Sequence, residues 1–259
     1  MSSISGLTII RNAITNGYPI AEVIDTLQSI CDEVIVCDGM SDDGTIEYLR
    51  SRTDIKLFQD DWDLQSNNGL EFAKITNLGL SRCTGDYVLY LQADELIHEK
   101  DMQKLKALIN SNKYRSINCK FTHIRYDFKY CLTSGYDKAI RVIRNDGAIS
   151  SLYDGFSFEG QTSPTFESDI YIYHFGYVFI ENILQKMINH AECFYVDAAN
   201  YNRRKVLSQA MLEQIRAGKH IEPLEAQMQL EPEYQLVEHH LPIPACMQRL
   251  QSVTRYILP

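Results

Sequence analysis

Acidic side chains stand directly after two of the most apolar segments of the sequence. Asp38 follows the run Val34–Cys37, and Asp94 and Glu95 come shortly after the run Tyr87–Leu91. A carboxylate at the end of a buried strand needs a partner, because an unpaired charge away from water is costly. Two adjacent acids also repel each other unless a cation or hydrogen-bond donors neutralise them. Carboxylates in such positions are typical ligands of Mg²⁺ or Mn²⁺, which share their coordination shell with phosphates and water.

Each of these acids also has a purely structural explanation. The stretch Ser41–Thr45 suits a turn that leads into a helix, because Asp and Ser favour turns and Gly44 permits unusual backbone angles. Asp94 or Glu95 can in the same way simply begin the turn after a strand. Spacing alone therefore leaves both ligand binding and local structure open at Asp38 and Asp94.

Alternating strand and helix patterns over the first hundred residues position these acids. Strands are expected at Gly6–Ile10, Glu33–Cys37, Ile55–Phe58 and Asp86–Leu91, and helices at Pro19–Ile30, Thr45–Arg52 and Leu70–Arg82. This order predicts a parallel sheet with helices on both faces. Ligands of such sheets bind beyond the carboxyl ends of the strands, so the loops 11–18, 38–44 and 92–96 are expected to face a common pocket.

The pattern changes after a predicted helix at Lys100–Asn110. Strand-like segments at Ile117–Tyr126, Ala139–Ile143 and Asp169–His174 follow one another without helices between them, which predicts antiparallel or mixed pairing. Helices are expected at Phe179–Tyr195 and Arg203–Ala217, and a helical and irregular extension from Ile221 that packs on the main domain.

Composition excludes several classes of protein. The 259 residues carry 25 Lys and Arg against 34 Asp and Glu, a net charge of −9, which gives no general reason to bind nucleic acid. No apolar run is long enough to cross a bilayer, and the N-terminus lacks the pattern of a secretion signal. The seven cysteines form no C-x-x-C pair, which favours free thiols in a reducing, cytoplasmic setting over disulfides or zinc.

Residues 7–95 resemble the nucleotide-sugar half of a family 2 glycosyltransferase. The stretch Asp32–Thr45 resembles the family pattern D-E-apolar-D-x-x-S-x-D-G-T, and Gly85–Glu95 resembles G-D-apolar-D-A-D-E. The resemblance implies an α/β GT-A fold, with a mixed, mostly parallel sheet between helices and a C-terminal helical extension. It implies a domain at 1–200, divided into a nucleotide-sugar-binding half at 1–98 and an acceptor half at 99–200, and an extension at 201–259.

The resemblance also implies roles for individual residues. Asp38 would contact the base or ribose, and Asp94 would hold a divalent ion, Mn²⁺ or Mg²⁺, on the sugar diphosphate. The expected nucleotide-sugar-binding residues are Arg11, Asp38, Ser41, Lys74, Gln92, Ala93 and Asp94. Gln92 departs from the pattern, because the family has an acid there, and an amide brings no charge to a metal. This departure weakens the expected metal dependence and is compatible with an inactive descendant.

A second, weaker resemblance covers the acceptor half. The stretches Arg141–Gly147 and Tyr153–Glu159 resemble R-apolar-apolar-R-x-x-G and G-x-V-H-E of the lipopolysaccharide-core branch. It implies Glu159 as the catalytic base, with Asp154 second, although Glu159 also suits a solvated turn. His174 is the expected second metal ligand or diphosphate contact, although a histidine ending an apolar strand is more often a core residue. Further candidates to offset diphosphate charge are Arg11, Lys74, Arg141 and Arg144, although any one of them is more often a surface or salt-bridged residue.

The function expected from these patterns is transfer of a sugar from a UDP- or GDP-linked donor to a hydroxyl of a sugar or glycan acceptor, with inversion. One alternative is a relative that binds nucleotide sugars without catalysis. Another is a nucleotidyltransferase, but the loop 11–18 lacks the Gly-rich, basic character of that class. A receiver-type signalling domain would be about half this length. The donor sugar, the acceptor and the oligomeric state are left open.

Overall fold

The computed structural model describes residues 1–63, 70–126, 128–132, 136–153, 155–193, 198–232, 235–251, 256 and 258. Its strands are β1 (Ile4–Ile10), β2 (Glu33–Asp38), β3 (Lys56–Gln59), β4 (Tyr87–Tyr90), β5 (Glu95–Ile97), β6 (Ser116–Arg125), β7 (Tyr130–Leu132), β8 (Lys138–Arg144), β9 (Ile149–Leu152), β10 (Ser157–Gly160), β11 (Thr165–Tyr177) and β12 (Leu236–Glu238). Its helices are α1 (Ala13–Asn16), α2 (Ile20–Ile30), α3 (Thr45–Ser51), α4 (Leu70–Leu80), α5 (Glu99–Asn110), α6 (Ile180–Cys193), α7 (Ala198–Arg216), α8 (Pro223–Leu230) and α9 (Ala245–Gln248).

One large sheet organises the described residues, with the strand order β12-β7-β6-β8-β4-β1-β2-β3. The four strands of the first half, β4, β1, β2 and β3, run parallel, which confirms the prediction. The second half is mixed, as expected: β8 is antiparallel to β4 and β6, while β11 is parallel to β6 and antiparallel to β5.

Side chains of the central strands alternate between two apolar cores, one on each face of the sheet. On β1, Ile4 and Ile10 face the core that contains α2, and Leu7 and Ile9 face the core that contains Ile75 of α4. Alternation is the normal consequence of the two-residue period of a strand. Helices therefore cover both faces, as predicted, and each fully buried aliphatic side chain contributes about 1.5–3 kcal/mol.

The strands of the second half differ from the sequence-based expectation: the short strands β7 and β12 were not expected, and two larger differences follow. The strand expected at Asp169–His174 extends over Thr165–Tyr177, because its exposed polar residues alternate with buried ones along the parallel pairing with β6. A separate two-stranded hairpin, β9–β10, was not expected, because serines interrupt its apolar pattern. Its buried positions are Ile149, Ser151 and Phe158.

The C-terminal segment packs on the main sheet, as the sequence indicated. Strand β12 pairs with β7, and Met247, Leu250 and Tyr256 are buried in the same core as α2. The expected domain boundary at residue 200 falls within α7, and the division into domains stays a prediction. No helix among the described residues combines the length and the apolar character needed to cross a membrane.

Candidate active site

The loops after β1 and β2 meet at one edge of the sheet. Ile10 and Asp38, the last residues of the two strands, are register partners. Beyond them, the backbone N–H of Asn12 donates to Oγ of Ser41 at 2.8 Å. The Asn12 side chain and Asp42 also exchange two hydrogen bonds of 2.9 Å, which ties the loops together. Because β4 runs parallel to β1, its carboxyl end and the following loop lie at this same edge.

Asp38 is fully buried and its carboxylate is held by neighbouring side chains. It accepts hydrogen bonds from the hydroxyl and backbone N–H of Ser41, and Nε2 of Gln59 donates to it at 3.0 Å. These contacts supply the partners that a buried carboxylate requires. They also fix the position of the loop that begins at Gly39, at the edge where a nucleoside is expected.

The single tryptophan packs beside this loop. A Cβ atom on Gly39 would lie 2.4 Å from the ring of Trp62, so only glycine lets the backbone approach that closely. Trp62 is 5% exposed, and its Nε1 has no hydrogen-bond partner within the described part of the chain. Nη1 of Arg11 donates to the backbone oxygen of Trp62 at 3.2 Å. Arg11 therefore lies beside the Asp38 loop, and Trp62 is a candidate site residue that the sequence did not indicate.

Asp94 lies in a small buried cluster with two basic side chains. Its Oδ2 is 3.2 Å from Nε2 of His174 and 3.4 Å from Nζ of Lys186. A Cβ atom on Gly176 would lie 2.2 Å from that oxygen, 2.8 Å from Nζ of Lys186 and 3.0 Å from Nε2 of His174. The absence of a side chain at Gly176 is therefore what lets the three groups converge. His174 was predicted to join Asp94, and the structure brings them together.

The sequence did not indicate Lys186, because no motif around it suggests a role in binding. The available signal was its place on the apolar face of α6, next to Met187 and near Ile183 and Leu184. A buried lysine on such a face needs a partner, here Asp94. The ammonium also lies 4.7 Å from the ring centre of Tyr18 and 4.3 Å from that of Tyr177, and donates to the backbone oxygen of Gly176 at 3.3 Å.

A chain of hydrogen bonds fixes the protons on the two histidines. Nε2 of His123 lies 2.9 Å from the backbone oxygen of Tyr136, which can only accept, so this nitrogen donates. Nδ1 of a neutral His123 then accepts from Nδ1 of His174, 2.8 Å away. Nε2 of His174 in turn donates to the Asp94 carboxylate. On this assignment from the hydrogen-bond network, His174 donates from both nitrogens.

The pKa values of His123 and Asp94 agree with that assignment. Burial, together with the nearby His174, lowers the pKa of His123 to about 4, so His123 is neutral at pH 7. Burial by itself raises the pKa of Asp94, but His174 and Lys186 outweigh it and hold that pKa well below its usual range. Asp94 is thus a carboxylate that basic neighbours already neutralise.

The residues at Asp94 do not fit a divalent ion well. His174 has no free lone pair in the arrangement described, and Gln92 offers no charge. An ion at Asp94 would also lie near the Lys186 ammonium, and two unit charges about 4 Å apart repel by about 4 kcal/mol near a protein surface. Among the residues that the structure describes, no group of three or more His, Cys, Asp or Glu side chains is arranged to hold a metal.

Gln92 and Glu95, on either side of Asp94, face other partners. Nε2 of Gln92 donates to the backbone oxygen of Gly155 at 3.3 Å, which ties the strand end to the turn of the β9–β10 hairpin. Glu95 forms a two-pronged ion pair with Arg141, at 2.6 and 2.7 Å, and both side chains are fully buried. Ala93 is buried in the core beneath the loop. Arg141 is therefore occupied by Glu95, which is the salt-bridged role that the sequence analysis gave as the alternative to offsetting diphosphate charge.

The other expected cations are not in the Asp94 cluster. Arg144 pairs in register with Tyr87, the first residue of β4, and so lies at the opposite end of that strand from Asp94. Its Nη1 donates to the Tyr87 hydroxyl at 3.3 Å. Lys74 is exposed on α4 and pairs with Glu71 at 2.8 Å, which raises the pKa of the lysine.

The two expected catalytic acids lie in or beside the hairpin. Glu159 is exposed on β10, opposite Ser150, while the neighbouring Phe158 is buried against Tyr90. No described contact joins Glu159 to Asp94. Asp154 lies outside the described residues, and its role stays a prediction. The residue after it, Gly155, contacts Gln92 as noted above, so the hairpin turn borders the site.

Helix α6 connects the two parts of the site. Nδ2 of Asn182 donates to the backbone oxygens of Ile14 and Thr15 in α1, at 2.8 and 3.0 Å. Helix α1 follows Asn12, which holds Ser41 and through it Asp38. Lys186, one turn beyond Asn182, holds Asp94. The Asp38 loop and the Asp94 cluster are thus linked through α1 and α6.

Comparison with known proteins gives a family and several distant likenesses. The structure of S. aureus TarS residues 1–349 has a TM-score of 0.45 and 14% identity, over 88% of this chain and 77% of that one. The TarS complexes with UDP and with UDP-GlcNAc both have TM-scores of 0.46, at 13% and 14% identity; they cover 83% and 88% of this chain and 74% and 78% of theirs. At TM-scores below 0.5, these likenesses support no conclusion about the function of this chain. No curated protein matches the chain.

The family model described as Glycosyl transferase family 2 matches residues 17–209, which is more than half of the 259 residues. The match includes both Asp38 and Asp94, and the observed sheet has the mixed, mostly parallel arrangement that the resemblance implied. The chain therefore belongs to glycosyl transferase family 2 and has its GT-A fold.

Proposed function

We propose that this protein transfers a sugar from a nucleotide-diphosphate sugar, UDP- or GDP-linked, to a hydroxyl group of a sugar or glycan acceptor, with inversion. Family membership supports the general class of reaction. The donor type, the stereochemical outcome and an acceptor of the lipopolysaccharide-core type belong to the proposal. The weaker resemblance of Arg141–Glu159 is what suggests that acceptor.

The observation that carries this proposal is the linkage of the Asp38 loop to the Asp94 cluster at one edge of the sheet. A nucleotide sugar has a neutral nucleoside end and a highly charged diphosphate. The Asp38 loop offers a carboxylate and a hydroxyl beside the indole of Trp62, while the Asp94 cluster offers Lys186 and His174. The two ends of the ligand thus have separate and chemically suitable neighbours.

In the proposed reaction the acceptor oxygen bonds to the anomeric carbon of the donor sugar as the bond from that carbon to the diphosphate oxygen breaks. The electron pair of the broken bond stays on the diphosphate, and the acceptor proton passes to a carboxylate base. Holding donor and acceptor in line can lower the barrier by about 7–11 kcal/mol at best. Donors such as the Lys186 ammonium stabilise the charge that develops on the leaving diphosphate.

Glu159 is the proposed base, with Asp154 second. Its exposure on β10 leaves the carboxylate open to an incoming acceptor hydroxyl. General base catalysis typically contributes about 10²–10⁴-fold in rate, so Glu159→Gln is expected to lower the transfer rate by that factor and leave donor binding unchanged. A rate within threefold of wild type for Glu159→Gln, measured by release of nucleotide diphosphate, excludes Glu159; the same assay on Asp154→Asn tests the second candidate.

Calorimetric titration with UDP, GDP and their sugar conjugates tests the proposed function. Binding by wild type, and about tenfold or more weakening in Asp38→Ala, are expected, because losing the buried carboxylate frees the loop that it holds. Asp169→Asn is the matched control, since Asp169 is an exposed acid paired with Lys104 on the surface. Absence of binding by every nucleotide and nucleotide sugar overturns the proposal.

Gln92 favours a second candidate function, a nucleotide-sugar-binding protein without catalysis. The glutamine replaces an acid of the family pattern, and its amide is engaged with the backbone of Gly155. This candidate predicts tight donor binding but neither transfer to a mixture of sugar acceptors nor hydrolysis of the donor by water. Turnover by wild type that Glu159→Gln or Asp154→Asn abolishes excludes it.

A further inference from the structure

We propose that the ammonium group of Lys186 replaces a divalent ion beside Asp94, so that the diphosphate of the donor binds without added metal. This inference rests on the proposed function, since its ligand is a nucleotide diphosphate. It assigns to Lys186 a binding role that the sequence pattern did not indicate.

The ammonium is fixed in position before any ligand arrives. It lies 3.4 Å from Oδ2 of Asp94 and 3.3 Å from the backbone oxygen of Gly176, and its side chain is 6% exposed. The rings of Tyr18 and Tyr177 approach it at 4.7 and 4.3 Å from their centres. A cation held by two aromatic rings and a carboxylate has little freedom left to lose when it binds an anion.

The charges around Asp94 favour an anion over a cation. Asp94 is the one carboxylate of the cluster among the described residues, and it meets two basic side chains, Lys186 and His174. Glu95 adds no free negative charge, because the fully buried Arg141 neutralises it. Position 92, where the family pattern has an acid, holds a neutral glutamine. A divalent ion needs surplus negative charge, whereas a diphosphate needs the surplus positive charge that is present.

A second basic side chain, Arg125, contacts the same aromatic ring as Lys186. The guanidinium of Arg125 lies 3.8 Å from the ring centre of Tyr177, which the Lys186 ammonium also contacts. Nη1 of Arg125 is 3.5 Å from Glu231, and its Nε has no hydrogen-bond partner in the described part of the chain. Because its charge is paired with Glu231, Arg125 contributes by holding the Tyr177 ring against the Lys186 ammonium rather than by adding free positive charge.

Calorimetry on the full chain tests this inference, with UDP and GDP titrated in EDTA and again in excess Mn²⁺ or Mg²⁺. The affinities in EDTA are expected to lie within about threefold of those measured with metal, because the proposed site uses no metal ion that EDTA could remove. Binding that appears only with metal, or is about tenfold tighter with it, overturns the role of Lys186 but leaves the proposed function intact. Absence of binding in both conditions overturns the proposed function itself.

Variants of Lys186 test whether its ammonium group is responsible for nucleotide binding in EDTA. Lys186→Met is expected to weaken nucleotide binding in EDTA about tenfold or more, since a hydrogen bond to a charged group is lost, and Lys186→Arg to retain most of it. Lys104→Met is the matched control, because Lys104 pairs with Asp169 on the surface. Wild-type affinity for Lys186→Met overturns the inference. If that variant does not fold, the wild-type comparison with and without metal and the Lys186→Arg titration still decide it.

Discussion

At the scale of single residues, Gly176 leaves the space in which the side chains of Lys186 and His174 approach Asp94. The carboxylate, the Lys186 ammonium and the His174 imidazole all face the space that a Cβ atom on this glycine would fill. Any side chain there must push at least one charged group out of a buried position. The convergence of the three groups is therefore a property of the backbone as much as of the charged side chains.

Gly176→Ala is expected to destabilise the fold by about 1–3 kcal/mol, because the new methyl group overpacks the cluster. It is also expected to weaken nucleotide binding, since Asp94 and Lys186 must move apart. Urea unfolding and calorimetry measure the two effects. Gly218→Ala is the control: its Cβ meets nothing within 4 Å, so only its positive φ of +79° costs stability, about 1 kcal/mol, and nucleotide affinity stays unchanged. Equal behaviour of the two variants contradicts the steric account.

His123 predicts a pH dependence of stability. Its pKa is lowered from 6.5 to about 4 by burial and by His174, so between these pH values the unfolded chain binds a proton that the folded chain does not. The free energy of unfolding is therefore expected to fall as pH drops from about 6.5 to 4, by about 3 kcal/mol at most. His123→Asn, which cannot titrate, should show a shallower slope in urea unfolding across this range. Parallel slopes for the two proteins contradict this assignment.

Residue types revealed some members of the site and concealed others. Asp38 and Asp94 were predicted because an acid at the end of an apolar strand needs a partner, and His174 was predicted from the family resemblance. Lys186 and Trp62 were not, since a lysine on a helix and a tryptophan in a loop are common in any protein. Arg141 was a candidate to offset diphosphate charge, with a salt bridge as the more common explanation. Its partner Glu95 could not be named from the sequence, because the pairing depends on how β5 and β8 meet in space.

At the scale of elements, the Glu95–Arg141 pair joins strands that are not neighbours in the sheet. Glu95 begins β5 and Arg141 lies in β8, and Nη1 of Arg141 also donates to the backbone oxygen of Phe156, at 2.8 Å. One buried ion pair thus holds two strands and the hairpin turn that borders the site. Its partners are fixed relative to one another by charge rather than by strand pairing.

Arg141→Met is expected to cost about 3–5 kcal/mol in the free energy of unfolding, because it leaves Glu95 buried without a counter-charge. The double variant Glu95→Gln/Arg141→Met should recover part of that loss. The exposed pair Lys138–Glu167 gives the control, and Lys138→Met should cost less than about 1 kcal/mol. Urea unfolding measures all of these. A double variant no more stable than the single one contradicts a charge-based role.

Strands and helices could be predicted from the sequence where they alternate along the chain, as in the first half. Strands β1, β2 and β4 are buried on both faces, so their apolar runs stand out from the amphipathic helices of the first half. The hairpin β9–β10 could not be read in the same way, because Ser150 and Ser151 interrupt it and its buried Phe158 packs against Tyr90 of a distant strand. Pairing of that kind is decided by tertiary contacts, which a local pattern does not contain.

At the scale of the whole molecule, the C-terminal segment connects helix α2 to helix α6, which carries Lys186. The hydroxyl of Tyr256 donates to Glu22 of α2 at 3.0 Å and accepts from the backbone N–H of Ala21 at 3.3 Å. The backbone N–H of Tyr256 donates to Oδ1 of Asn182 in α6 at 3.0 Å. Tyr256 therefore connects helices α2 and α6, which are far apart in sequence.

Tyr256→Phe is expected to lower the free energy of unfolding by about 1–3 kcal/mol, because the buried Glu22 loses a hydrogen-bond donor. Tyr153→Phe is the control, since Tyr153 is 68% exposed and its substitution should change stability by less than about 0.5 kcal/mol. Thermal and urea unfolding compare the two. If Tyr256→Phe is as stable as the control, the C-terminal segment does not stabilise the fold through this hydroxyl.

The packing of Trp62 on Gly39 gives the molecule an intrinsic optical reporter. It is the only tryptophan in the chain, so its emission arises from one place, against the backbone of the loop that follows β2. A nucleobase seated near that indole would quench or shift its fluorescence, while events at distant parts of the surface would leave the signal untouched. Nucleotide binding at the proposed site can thus be tested by fluorescence in the unlabelled protein.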